Sequence, residues 1–305
     1  MKEAVELETG GDPEGRVRYV RSSLRVIAKR VGGLSANTAR RLLRAMKYSL
    51  RANKKRLSGK PHPDRDTQYQ KIQETRAEFE AADDPTISVD AKNRELIGDF
   101  KNNGKTWCAA AEDVNMYDFP SDSLGKATPF GVFDTVANFC LVMVGLSAAT
   151  PEFAVNSIRR WWEDYGSKRY AGCRRLMIEC DGGGCNGYRP RMWKWLLQEF
   201  ADSTGMSITV CHYPRGASKW NPIEHRVFGQ ISRNWSGYPL RTLTHILGFI
   251  RGTATESGLH IDAEYDQNTY EKGRTVSDAQ MKTLNIKPDE ICPKWNYTIH
   301  PRNRK

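Results

Sequence analysis

The spacing of apolar residues divides the chain into a helical head and an α/β body. From Ser23 to Val31, the residues Leu24, Ile27, Ala28 and Val31 recur at i, i+3, i+4 and i+7, which is one face of a helix. Gly32-Gly33-Leu34 makes a turn, and Ser35 supplies an N-cap for a second helix to about Met46. Ala39, Leu42, Leu43 and Met46 repeat the first helix's spacing. Two short amphipathic helices about a glycine turn predict a helix-turn-helix. A third helix is expected over Thr67–Ala82, broken by Asp83-Asp84-Pro85.

The pattern then changes to strands. Thr86 to Asp90 alternates and ends in a carboxylate, and Glu95 to Phe100 reads as a second strand. Residues 105–128 read as a long loop. Gly131–Asp134 and Phe139–Leu146 are further strand candidates. Thr150-Pro151-Glu152 opens a helix with Val155, Ile158, Trp162 and Tyr165 on one face, expected to end at Gly166. Arg174–Cys180 is the next strand, running into Asp181 and a glycine run. A helix follows from about Arg189, then a strand over 207–211, and then a helix opened by Asn221-Pro222-Ile223-Glu224. One more helix carries Leu240, Leu243, Leu247 and Ile250 in register. This order predicts a mixed sheet with helices on both faces. The expected division is a helix-turn-helix head with linker over 1–60, a connecting helix over 61–85, an α/β domain over 86–240, and a C-terminal helix and tail over 241–305.

Charge sharpens the reading of the head. The 305 residues carry a formal charge of +11. Residues 16–60 hold 15 Lys and Arg and no Asp or Glu, whereas 61–305 balance at 31 of each sign. The whole excess therefore lies in one block, an electrostatic footprint for a polyanion, and nucleic acid is the partner expected. The second helix would enter a major groove with Asn37, Thr38, Arg40, Arg41 and Arg44. Arg51 to Lys60, including Lys54, Lys55 and Arg56, reads as a linker to phosphates. The longest apolar run, Phe139 to Leu146, is far short of the roughly 20 residues of a membrane span. Seven cysteines without a Cys-x-x-Cys pair read as reduced thiols of a cytosolic protein.

The candidate chemistry lies in carboxylates. Asp90 and Asp181 each end a strand, where sites of α/β sheets collect, and the glycines after Asp181 let a ligand approach the backbone. Glu224 follows in the first turn of a helix, near Lys219, His225 and Arg226. Taken alone, Asn221-x-x-Glu224 reads first as a capping box. Asp134 is the strongest rival for a metal role, Glu179 a possible accessory on the Asp181 strand, and Asp99 a further strand carboxylate. A trio of carboxylates suits two Mg²⁺ ions, hard cations that take carboxylate oxygen and keep room for phosphate.

Four stretches carry a family resemblance: Ile87-Ser88-Val89-Asp90-Ala91-Lys92, Glu95 to Asn102, Cys180-Asp181-Gly182-Gly183-Gly184-Cys185-Asn186-Gly187, and Cys211 through Arg226. Together with His62 to Asp66 and Trp295-Asn296-Tyr297, they resemble the ISAzo family of bacterial insertion-sequence transposases, over nearly the whole chain. That family is of the DDE group, with an RNase H-like core akin to retroviral integrases. The resemblance implies an α/β, RNase H-like mixed sheet flanked by helices and preceded by an all-α helix-turn-helix. It implies a metal triad of Asp90, Asp181 and Glu224, holding two Mg²⁺ (or Mn²⁺) ions. It also implies cutting and joining of transposon-end DNA, with double-stranded inverted repeats and target DNA as partners, in the bacterial cytoplasm. Pairing of two ends makes a homodimer or higher oligomer the expected state, with no membrane partner. Family members usually carry another DNA-binding segment ahead of this helix-turn-helix, so the chain reads as N-terminally truncated. Pro222 stands where Lys is common in the family, giving the Asn-Pro-x-Glu of Tc/mariner-like enzymes. The alternatives are a DNA-binding relic or regulator without transposition activity, and a simple RNase H-like nuclease.

Overall fold

The computed structural model describes residues 9–11, 18–20, 22–50, 62–214, 216–217 and 220–302. They fall into two compact units, Met1–Ser58 and Gly59–Lys305.

In the first unit, strand β1 (Thr9–Gly11) pairs antiparallel with β2 (Arg18–Val20). Helix α1 (Leu24–Arg30) is capped by Ser23, and α2 (Ala36–Ala45) by Ser35, whose hydroxyl accepts from Thr38 N at 3.1 Å. Gly32 and Gly33 both take positive φ, so the turn between the helices sits in a region that favours glycine. Ile27, Ala28 and Ala39 are buried. The two-helix reading of the head holds to within a residue or two at each end.

In the second unit the strands are β3 (Thr86–Ala91), β4 (Glu95–Ile97), β5 (Gly125–Asp134), β6 (Phe139–Gly145), β7 (Arg175–Asp181), β8 (Ser207–Tyr213), β9 (His260–Asp266), β10 (Ile286–Pro288) and β11 (Asn296–Ile299). Eight of them run in the order β10-β11-β8-β7-β3-β5-β6-β9, and β4 pairs β5 off that path. At the centre, β3 pairs antiparallel with β5 and β5 with β6, whereas β3 pairs parallel with β7 and β7 with β8. This mixed five-strand order, an antiparallel meander continued by two parallel crossovers, is RNase H-like.

Alternation along the strands feeds two cores. One face presents Ile87, Val89, Phe130, Val132, Ile178 and Val210 to helices α4 (Pro151–Trp161) and α5 (Arg191–Thr204). The other face presents Phe133, Val142 and Val144 to a helical turn (Glu224–Phe228), α6 (Gly229–Asn234) and α7 (Leu243–Arg251). Helix α3 (Arg65–Ala81) packs on that second face, burying Ile72 and Phe79 against Met177, Cys211 and Tyr213. Each of those two side chains contributes about 1.5–3 kcal/mol by burial. The helix read from the sequence as a connector is thus built into the body.

Some elements depart from the sequence reading. The second strand is only three residues long, and β5 begins at Gly125 rather than Gly131. Gly166 does not end its helix, which runs on through a π-helical turn (Trp162–Gly166) into Ser167–Arg169. A Cβ at Gly166 would meet the Trp162 ring at 2.6 Å, so that glycine makes room for aromatic packing and is not a cap. Residues 258–305, read as a mixed tail, supply β9, β10, helix α8 (Asp278–Lys282) and β11. Among the described residues no helix is long and apolar enough to cross a membrane. All seven cysteines are free.

Glu179 on β7 is fully buried and takes two bonds from Arg76 of α3, one at 2.6 Å, and one from the Tyr213 hydroxyl at 2.8 Å. Removing one partner of such a pair strands a charge in the interior. Arg76→Ala is expected to cost about 3–5 kcal/mol in urea unfolding, while Arg76→Met with Glu179→Met costs far less.

Candidate active site

Strands β3 and β7 run parallel with Val89 opposite Cys180. One residue beyond that pair, at the same sheet edge, stand Asp90 and Asp181. Both share the face of Ser88 and Glu179, because side chains alternate along a strand. The Ala91 amide donates to Asp90 Oδ1 at 2.8 Å. After Asp181 the glycine loop folds tightly on itself: a Cβ at Gly187 would lie 3.0 Å from the Gly182 carbonyl oxygen. The Asn186 side chain, buried under this loop, donates to Val89 O at 3.3 Å and ties the loop to β3.

The helix start that carries Glu224 is fastened by contacts across the fold. Asn221 is fully buried, and its Oδ1 accepts from Ser88 Oγ at 2.5 Å. Its Nδ2 donates to Val89 O and to Asp181 Oδ1, each at 3.3 Å. Ser88 Oγ in turn accepts from the Ile223 amide at 3.1 Å. The first helical amide is therefore capped by a hydroxyl from β3, and Asn221 spends its side chain on β3 and β7. Glu224, the residue after Ile223, lies close enough to Asp90 for its charge to act on that carboxylate. Gly131, opposite Asp90 on β5, allows this approach: a Cβ there would meet Ile223 Cδ1 at 2.5 Å.

Burial, and after it neighbouring carboxylate charge, raises the proton affinity of both aspartates. Asp90 is pushed well above the ordinary carboxylate range, first by burial and next by the charge of Asp181, with Glu224 adding to it. Asp181 is pushed up to about 6 by burial, against which the Asn221 amide pulls it down while Glu224 adds to the rise. The donors are hard oxygens whose mutual repulsion a divalent cation would relieve, so they fit Mg²⁺ or Mn²⁺. Among the described residues no group of three or more His, Cys, Asp or Glu side chains is arranged to hold a metal ion.

A second buried network holds the backbone of Asp181. Trp193 Nε1 can only donate, so the Tyr297 hydroxyl 3.1 Å away accepts from it. Tyr297 then donates to His212 Nε2 at 3.0 Å, which leaves the proton on Nδ1. That proton faces the Asp181 carbonyl oxygen at 3.1 Å, with Cys180 Sγ at 3.2 Å beside it. Burial pushes the His212 pKa down to about 4 and keeps the ring neutral.

The other sequence candidates are placed elsewhere. Asp134 lies at the opposite sheet edge, because β5 is antiparallel to β3 and sets Asp134 against Ile87. Its carboxylate accepts from the amides of Val136 and Ala137 and from the Tyr170 hydroxyl, which closes a turn. Glu179 is bound to Arg76, and Asp99 to Arg241 at 2.6 Å. Arg226 donates to Asn138 Oδ1 at 2.9 Å, with its guanidinium over the Phe133 ring, so it is engaged on the β5–β6 hairpin. His225 is exposed on the same turn as Glu224. In the head, Asn37, Arg40, Arg41 and Arg44 are exposed on α2, and Thr38 bonds Ser35. Lys54, Lys55, Arg56 and Lys219 lie outside the described residues. Sequence reasoning passed over Ser88, Asn186, His212 and Tyr297. Ser88 carried a signal, since it sits two residues before Asp90 on the same strand face.

Comparison with family models matches residues 1–301 to the Rhodopirellula transposase DDE domain. The chain belongs to the DDE transposase family. The curated proteins contain no match to this chain. Among solved structures it is similar to the Mos1 transposase paired-end complex with left transposon end, at 8% identity and a TM-score of 0.45. It is also similar to the Mos1 mariner paired end complex with Mn, at 10% identity and 0.46. Each alignment covers 75% of this chain and 66% of the other, so the transposase chain spans just under two thirds of those relatives' length.

The latch between the two strands and the Glu224 helix gives a direct test. Ser88→Ala removes the cap on Ile223 and a partner of Asn221 together. It should lower stability by about 1–2 kcal/mol in urea unfolding. An unchanged midpoint would show that the Ser88–Asn221 contact does not hold the helix start.

Proposed function

We propose that the transposase hydrolyses a phosphodiester at transposon ends and then joins the freed end to target DNA, with Asp90, Asp181 and Glu224 as the catalytic and metal-holding residues. The observation that supports this is that Asp90 and Asp181 end neighbouring parallel strands at one sheet edge, where burial and the nearby charge of Glu224 raise the proton affinity of both. Bound there, two Mg²⁺ or Mn²⁺ ions would supply charge stabilisation to the attacking and leaving oxygens.

Asp90 and Asp181, side by side on rigid strands, would hold the ions between them. Glu224 would close the site from the helix. Asn221 keeps the Asp181 carboxylate turned towards the site, and His212 keeps its backbone in place. In the first step a water oxygen bonds to phosphorus, the P–O3′ bond breaks, and the end leaves as a 3′-hydroxyl. In the second step that hydroxyl oxygen bonds to a target phosphorus and the target's P–O3′ bond breaks. No enzyme nucleophile is required for either.

The head would supply the hold on DNA. Asn37, Thr38, Arg40, Arg41 and Arg44 would read a major groove, and Lys54, Lys55 and Arg56 would meet phosphates. Lys219, His225 and Arg226, neighbours of Glu224 in sequence, would contact phosphate or the scissile strand. Two ends held together call for a homodimer or higher oligomer. The place of action is the bacterial cytoplasm and nucleoid.

Incubation with labelled inverted-repeat DNA and Mg²⁺ tests the reading. Specific end cleavage is expected, with a loss of at least about a thousandfold in Asp181→Asn or Asp90→Asn. DNA retarded but never cut would favour a binding relic or regulator, and cutting without regard to ends would favour a simple nuclease.

The raised aspartates set the pH dependence. A metal must displace their protons, and Asp181 holds its proton up to about 6. Metal affinity, followed by calorimetry, should be level at alkaline pH. It should fall about tenfold per unit once pH drops below about 6, and more steeply where Asp90 also takes a proton. An affinity flat from pH 8 to 5 would remove these carboxylates from the metal site.

A further inference from the structure

A cleft of about 970 Å³ opens beside Asp90 and Asp181, and the segment that walls it on one side is basic at its tip. That wall is the stretch between β9 and α8. It is fastened at both ends. On one side Tyr270 donates to Asp266 at 2.6 Å, accepts from Asn156 at 3.0 Å and bonds Ser147 Oγ through its amide at 3.2 Å. On the other side Val276 is buried and its carbonyl accepts from Arg191 at 3.2 Å. Between these anchors the residues from Glu271 to Thr275 are exposed, and Gly273 turns the chain at φ +85°. Lys272 and Arg274 therefore stand on a held strap at the mouth of a cleft whose other side carries Asp90 and Asp181.

Across the cleft lies Glu152, in the first turn of α4. It is buried, 8% exposed, and its Oε1 has no hydrogen-bond partner. The nearest charge is Arg274 Nη1 at 3.4 Å, close enough for attraction but too far for a good hydrogen bond. The guanidinium itself is largely in solvent, with a side chain 62% exposed. Arg274 is thus held by a loose contact to a carboxylate, the same charge and oxygen geometry that a phosphodiester offers. Arginine suits both partners.

We propose that Lys272 and Arg274 bind phosphates of the DNA strand that carries the scissile bond, and that Glu152 holds Arg274 until that strand arrives. This rests on the reading of the carboxylates as the cutting site, because only then must a polyanion enter a cleft lined by Asp90 and Asp181. The rest of the body offers no net positive charge to draw it there, since residues 61–305 balance. At the mouth Lys272 and Arg274 outnumber Glu271 on the strap and supply the attraction locally, and exchange of Glu152 for phosphate keeps Arg274 paired throughout.

The test is DNA binding by the full chain in EDTA, followed by anisotropy of a short fluorescein-labelled duplex with a single-stranded overhang, across a salt series. Removing one cation that neutralises a phosphate lowers the slope of log affinity against log salt by about 0.9. Lys272→Ala with Arg274→Ala should lower that slope by nearly two and weaken binding about tenfold at moderate salt. Lys272→Ala alone, which leaves Glu152 and Arg274 together, should lower it by about one. Glu152→Gln should bind several-fold tighter, because Arg274 is released. An unchanged slope in the Lys272 variant and the double variant overturns the phosphate site, and a Glu152→Gln that binds no tighter overturns the exchange. Cleavage by the wild-type protein with Mg²⁺ is scored separately. Its absence would remove the cutting-site reading, whereas the binding series in EDTA decides the strap on its own.

Discussion

The Asn221 side chain is the point at which the body's parts are made to agree. One amide group touches β3 through Ser88 and Val89, β7 through Asp181, and sits at the start of the helix that bears Glu224. A buried amide has four hydrogen-bonding positions, and an unfilled one costs more than a filled one contributes. Asn221 fills its positions only when both strands and the helix start are in their observed places. The same satisfaction requirement therefore fixes a polar site inside an otherwise apolar junction. Gly131 and Ile223 complete it by letting helix and sheet approach to contact distance.

That rigidity works against an opposing force. Asp90, Asp181 and Glu224 repel one another and are partly cut off from water, so the charged trio destabilises the fold that holds it. The frame around them is correspondingly strong. The apolar core of α4 and α5 lies under the same strands, Arg76 neutralises Glu179 next along β7, and neutral His212 braces the Asp181 carbonyl. Beside the aspartates, Glu179 is thus paired and His212 neutral.

Most of the scaffold was legible in the sequence. Helices α1, α2, α3 and α5 followed from apolar spacing and caps, and β3, β7 and β8 from short apolar runs. The misses have physical causes. β9 and β11 are half polar: His260 to Asp266 buries Ile261 and Ala263 and leaves charged residues between them, a weak signal until β6 supplies a partner. β5 opens with Gly125, Lys126 and Pro129, poor strand formers that are held by β6 and β4. At the site, Asp90 and Asp181 stood out as strand ends, but so did Asp134. Strand direction separates them, for an antiparallel neighbour ends at the opposite edge. The capping box at Asn221-x-x-Glu224 was a fair local reading that a contact from Ser88, 133 residues away, overrides. Local pattern ranks such choices and tertiary partners make them.

The distribution of charge follows from the same logic. The head carries the whole excess of +11, and the body is neutral with carboxylates clustered at its working edge. A body made strongly basic to attract DNA would set cations beside Asp90 and Asp181, pairing them and competing with metal. On the proposed function, concentrating the attraction in a separate unit would leave those carboxylates free to gather a divalent ion. The cations on the cleft wall are Arg191, paired with Asp278, and Lys272 and Arg274, carried on a strap and not on the strands, with Arg274 set against Glu152 and not against the trio. On the proposed function, attraction for the polyanion and affinity for the cation would thereby share one cleft on side chains that do not neutralise each other.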